Sequence, residues 1–282
     1  MEILVAPFAP TGVIHRTPGH RPARRRGYSP EPFAGARRTV FRMAPPPRPA
    51  YDPGMAIEAV IFDWGGTLTP WHDIELGEMW RGICAAHLDP DAVEAAANAL
   101  LDAELKLWER GRDEHRSATL DEVFALAGVE PTEALLATKF EAWTPHTIID
   151  PAAPPLLEAL RARGIKVGVL SNTMWSRDWH ERIFARDGVL DLLDGAVYSS
   201  EIPWTKPHPK AFGAAMDAVG AADPEACVFV GDRPYDDIHG AKSAGLRTVL
   251  VPNSTVPAWE AAPDAVIEDL SELLPHVERW HS

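Results

Sequence analysis

Two kinds of hydrophobic pattern alternate along this chain. The first is a short, nearly unbroken apolar run, as at residues 59–62 (AVIF), 165–170 (IKVGVL), 227–231 (CVFVG) and 247–251 (RTVLV). Such runs suit strands covered on both faces of a parallel sheet. GAVYSSE at 195–201 and the start of DAVIEDLSELLPHV at 264–277 predict two more strands, the latter leading into a closing helix. In the second pattern apolar residues recur every three or four positions, as in an amphipathic helix. Pro155 opens one such stretch, Leu156, Leu157 and Leu160 form its stripe, and Gly164 stops it. WSRDWHERIFARDG at 175–188 and GAKSAG at 240–245 read as further helices. Strands separated by helices at this rhythm predict an α/β fold with a Rossmann-like, doubly wound parallel sheet.

Residues 70–149 interrupt that rhythm with helical spacing alone. Leu76, Trp80, Ile83 and His87 form one stripe, and Val93, Ala97, Leu101, Leu105 and Trp108 a second. Leu120, Val123, Phe124 and Ala127 follow, stopped by Gly128, and then Leu136, Phe140 and Trp143. These stripes predict a helical domain with its own core. The expected division is a core of residues 55–69 and 150–282, a helical insert of 70–149, and a separate segment of 1–54.

Charge sets that first segment apart. Residues 1–54 hold nine Arg, no Lys and three acids, a net of +6, so the remaining residues carry −14 − 6 = −20. Eleven of the 27 prolines fall there too, without periodicity, which predicts disorder. MEILVAPF lacks the basic start of a secretory signal, and one serine is too few for a transit peptide, so translation is expected to start near Met55. The acidic body argues against nucleic acid as a partner. No apolar run reaches a membrane span. Cys84 and Cys227 suggest no disulfide framework, and a cytoplasmic location is expected. The chain gives no indication of oligomeric state.

The chemistry lies where the predicted strands end. AVIF delivers Asp63 onto Gly65, Gly66 and Thr67, a turn whose N–H groups suit an anion. VGVLSNT ends on Ser171 and Asn172, TKPHPKAF carries Lys206, and CVFVGDRPYDD leads to Asp232 and Asp237. Open α/β sheets bind ligands at these carboxyl ends.

In this order, DWGGT, LSNT, TKPHP and GDRPYDD resemble the four motifs of the haloacid dehalogenase superfamily. The resemblance implies a Rossmann-like core with the insert as its helical cap. It makes Asp63 a nucleophile that takes up a phosphoryl group, Ser171 a donor to that group and Lys206 its counter-charge. It implies Mg²⁺ on Asp63, Asp232, Asp237 and the Gly65 carbonyl, with Gly66, Thr67 and Asn172 contacting substrate. The substrate class is a small phosphorylated metabolite. Hard oxygen ligands suit Mg²⁺, and phosphoryl transfer chiefly needs positioning and charge neutralisation.

One position departs from the family pattern. Where its phosphatases carry a second Asp as acid and base, this chain has Gly65. Such help is typically worth about 10²–10⁴-fold. Three alternatives follow: a phosphate-binding protein with little or no turnover, a phosphonatase, or a dehalogenase. The phosphonatase needs a cap lysine, and only Lys106 and Lys139 are available, Lys106 reading as solvated. Dehalogenases need no metal, which two acids at Asp232 and Asp237 argue against. His72 and Asp73 could replace the missing acid, but the simpler reading makes His72 an exposed linker residue and Asp73 the cap of the first helix. His208 and His239 read as a turn and a solvent-facing residue, and Lys210 as an exposed helix start. Residues 70–150 carry 17 acids against six Lys and Arg, leaving Arg110, Arg112 and Arg116 as candidate contacts for the rest of the substrate.

Overall fold

The computed structural model describes residues 56–252 and 259–281, so the expectations for residues 1–54 lie outside the described residues. Among the latter are six strands: β1 (Ala59–Phe62), β2 (Lys166–Ser171), β3 (Gly195–Tyr198), β4 (Cys227–Gly231), β5 (Arg247–Leu250) and β6 (Ala265–Val266). They form one parallel sheet in the order β3-β2-β1-β4-β5-β6. The order reverses beside β1, the switch point at which doubly wound sheets bind ligands.

The unbroken apolar runs follow from burial on both faces. In β1, Val60 and Phe62 join one hydrophobic cluster, while Ala59 and Ile61 join another on the opposite face. Every residue of β1 is fully buried, so none of its positions is left for a polar side chain.

Four helices lie between β1 and the return to the sheet: α1 (Leu76–Ala85), α2 (Pro90–Glu114), α3 (Leu120–Ala127) and α4 (Glu133–Trp143). They bury a cluster of their own that includes Trp80, Leu100, Phe124 and Leu135. Two stripes differ from the sequence reading. His87 lies beyond α1, exposed, with its ring nitrogen 2.7 Å from Thr138 Oγ1. In α2 the most buried face runs through Leu100, Glu104 and Leu107, which leaves Leu101, Leu105 and Trp108 half-buried at its edge. A long helix between two neighbours turns more than one face inward.

That face carries an ion pair inside the bundle. Lys139, fully buried on α4, has Nζ 3.7 Å from Glu104 and 3.7 Å from the centre of the Trp80 ring. Trp80 Nε1 donates to Glu104 Oε2 at 2.6 Å. Burial pulls the Lys139 pKa down, against the pull of Glu104. Lys106 is exposed, as expected.

The turn between α2 and α3 is joined to the core through main-chain atoms. Thr205 N–H donates to the His115 carbonyl, Ser117 N–H to Pro203 and Leu120 N–H to Met174. Arg116 and Trp204 add an isolated antiparallel bridge.

After α5 (Ala153–Arg161) and β2, α6 (Arg177–Arg186) carries His180, fully buried and stacked on Tyr198 with ring centres 4.3 Å apart. Burial pushes its pKa down to about 3. Its ring therefore stays neutral when folded and charges on unfolding. The associated stability is complete above the ordinary histidine pKa and is lost as pH falls from about 6.5 towards 3, at about 1.4 kcal/mol per unit. His180→Phe is expected to remove that slope, read from urea unfolding at a series of pH values; an unchanged slope would place it on another group.

Candidate active site

Asp63 follows β1 directly and is fully buried, its N–H donating to the Val230 carbonyl at 2.8 Å. Lys206 comes from the loop before α7 (Pro209–Val219) and is buried as well. Its Nζ donates to Asp63 Oδ1 at 2.8 Å and to Asp237 Oδ1 at 2.7 Å. Asp232 follows β4, and Asp237 lies on a π-helical turn, Pro234–His239. That turn brings Asp237 Oδ2 within 2.8 Å of the Arg233 N–H, which donates to it.

Asp63, Asp232 and Asp237 each offer an oxygen, and these atoms lie within 4.8 Å of one another. Lys206 pairs with two of the three, Asp63 and Asp237. Burial raises the Asp237 pKa to about 6, with Lys206 opposing and Asp63 reinforcing the shift. Three hard oxygen donors this close together suit a divalent cation such as Mg²⁺.

Ser171 ends β2 with its Oγ buried and, among the described residues, without a hydrogen-bond partner. Other predicted contacts have different tasks. Asn172 accepts from the Lys206 N–H at 2.8 Å and donates to the Lys206 carbonyl at 3.0 Å, so its amide holds the lysine's main chain. Gly66 N–H donates to the Thr69 carbonyl and Thr67 N–H to Trp64, so these two donors, expected to face an anion, close the turn itself. Thr67 Oγ1 donates to Asp63 Oδ2 at 3.4 Å.

Gly66 is required for a second reason. Its φ is +86°, and a Cβ there would lie 2.5 Å from Asp232 Oδ2. Gly66→Ala is therefore expected to cost about 1–3 kcal/mol and to weaken Mg²⁺ uptake by displacing Asp232. Thermal unfolding and calorimetric titration check both effects, and unchanged Mg²⁺ affinity would mean that Asp232 is no ligand. Gly65 is the opposite case: a Cβ there meets nothing within 4 Å.

That open space belongs to a pocket lined by Gly65, Gly66, Trp71, His72, Trp143 and His146. His72 is half-buried here, 5.0 Å from the His146 ring, and not the free linker residue expected. Asp73 accepts from Trp71 Nε1, while α1 is preceded by Glu75 with no side-chain cap, so Asp73 does not cap it. His146, in the turn Thr144–His146, drew no attention in the sequence because nothing around it follows a motif. Burial and the neighbouring His72 lower its pKa.

The remaining candidates fall outside the cluster. Arg110 pairs with Glu122, Arg112 with Glu109 and Asp113, and Arg116 with Glu114, all within the insert. His208 starts α7, its Nδ1 accepting from the Lys210 N–H, and Lys210 Nζ sits 4.7 Å above the Trp204 ring. His239 is exposed.

Fold and carboxylate cluster together define a hydrolase of the Rossmann-like α/β class with a helical insert. More narrowly, the chain belongs to the haloacid dehalogenase-like hydrolase family, whose model matches residues 57–245. It is 30% identical over 226 residues to a glyceraldehyde 3-phosphate phosphatase of Methanopyrus kandleri, covering 76% of this chain and 91% of that protein. It is 30% identical over 241 residues to a phosphatase of Mycobacterium tuberculosis, covering 78% and 96%. Among solved structures it resembles a 2-haloacid dehalogenase from Pseudomonas syringae, with 29% identity, TM-score 0.57, and coverage of 79% of this chain and 99% of that one. Among the described residues no helix is long and apolar enough to cross a membrane.

Proposed function

We propose that this chain is a Mg²⁺-dependent phosphatase for a small phosphorylated metabolite, with Asp63 as its nucleophile. The observation that carries this reading is the buried cluster in which Asp63, Asp232 and Asp237 converge within 4.8 Å beside Lys206. The curated relatives named as phosphatases support it. Asp63, Asp232 and Asp237, with the Gly65 carbonyl, would hold Mg²⁺, which when bound supplies positive charge for the phosphoryl oxygens. Asp63 attacks phosphorus, the bond to the leaving oxygen breaks, and water then hydrolyses the aspartyl-phosphate. Lys206 neutralises the transferring group, and the unpartnered Ser171 hydroxyl donates to one of its oxygens.

Gly65 and the dehalogenase relative favour a second reading, displacement of halide by Asp63. A halide leaves without a proton, so a missing acid costs nothing there. Against it stands the cluster of Asp63 with Asp232 and Asp237, a set of cation ligands that a metal-free displacement does not need. The phosphonatase reading loses its cap lysine, because Lys139 is paired inside the bundle.

The test measures phosphate release from glyceraldehyde 3-phosphate, phosphoserine and a pyrimidine nucleotide with Mg²⁺ or chelator, beside chloride release from 2-chloropropionate. Mg²⁺-dependent phosphate release from at least one ester, and no chloride, is expected. Metal-independent chloride release would establish the dehalogenase. Phosphate binding without release would establish the binding protein.

A further inference from the structure

We propose that His146 transfers the proton that Gly65 cannot, with the substrate's leaving group seated in the pocket between His146 and the Gly65–Gly66 turn; this rests on the phosphatase reading above. A Cβ at position 65 would meet nothing within 4 Å, and Gly65 and His146 line the same pocket. Three ring nitrogens of the lining residues are buried without a partner: His146 Nδ1, Trp64 Nε1 and Trp143 Nε1. Buried donors of this kind are normally satisfied.

The histidine is held firmly enough for the task. Its ring lies 5.0 Å from that of His72 and 6.0 Å from that of Trp143. The next residue is fixed from two sides: Arg186 donates to the Thr147 carbonyl at 2.6 Å and to its Oγ1 at 3.2 Å, and Thr147 Oγ1 donates to the Thr144 carbonyl at 3.0 Å.

The proton balance closes over one turnover. As Asp63 bonds to phosphorus and the ester P–O bond breaks, the leaving oxygen takes a proton from the imidazolium of His146. The neutral ring then accepts a proton from the water that attacks the aspartyl-phosphate, which releases phosphate and restores both groups.

Leaving-group dependence tests this directly. p-Nitrophenolate departs without a proton, whereas the alkoxide of glycerol 3-phosphate does not. His146→Gln is expected to lower kcat on glycerol 3-phosphate by about 10²-fold or more, and on p-nitrophenyl phosphate by less than about tenfold. Partial unfolding would depress both substrates equally, so the ratio is the informative quantity. Adding Gly65→Asp to His146→Gln is expected to restore the alkyl ester. An equal loss on both esters, or no loss on glycerol 3-phosphate, would overturn the role of His146 while leaving the phosphatase intact. Absence of Mg²⁺-dependent phosphate release by the unaltered protein from either ester would instead remove the reading beneath it.

Discussion

Lys206→Met is expected to lower the unfolding free energy of the metal-free protein by about 3–5 kcal/mol at pH 8, the usual cost of leaving buried charge uncompensated. Lys206 Nζ is the shared partner of Asp63 and Asp237, and all three side chains are fully buried. Without the ammonium, the cluster must take up protons or repel itself. The pH dependence identifies the cause. Asp237 already has its pKa raised to about 6 by burial, even with the lysine present. A carboxyl raised in this way favours the folded state below the ordinary carboxylate pKa and loses that contribution as pH rises through its folded value. The variant should therefore approach wild-type stability near pH 4 and fall away above pH 6. Urea unfolding in chelator at both extremes measures this, and a deficit equal at pH 4 and pH 8 would assign the loss to packing. Saturating Mg²⁺ should recover part of the deficit at pH 8 by binding the folded state.

Asp63→Asn has the opposite profile. The amide preserves the shape and still accepts from Lys206, but it cannot act as the nucleophile. Phosphate release is expected to fall by at least about 10³-fold. Metal-free stability should hold or rise, because one of three crowded negative charges has gone. Phosphate release and urea unfolding on the same preparation separate the two effects. Turnover within tenfold of wild type would mean that the nucleophile lies elsewhere.

The parallel sheet was legible because its strands are buried on both faces, which turns β1 into a run with no polar residue. Asp63 and Asp232 were legible as residues that follow buried strands, and Lys206 and Asp237 through the motifs in which they stand; the structure brings all four together. The cap lysine was harder to read. Lys139 lies at helical spacing with the buried Leu135 and Trp143, as Glu104 does with Leu100 and Leu107. Opposite charges on two apolar stripes were the available signal, but mutual neutralisation appears only when the stripes meet. For Asn172, Gly66 and Thr67 the motif gave no sign of the hydrogen bonds that each also makes within the protein. His146 had no local pattern, since a turn reveals its neighbours only through tertiary folding.

The join at residues 115–120 gives the insert a second attachment to the core. Its covalent strands enter and leave beside the pocket, while the far turn is fastened to the core by three main-chain bonds, each worth about 0.5–1.5 kcal/mol. Moving the insert away from the core would break all three. The attachment is thus carried by main-chain atoms, which substitutions of the side chains at 115–120 leave in place.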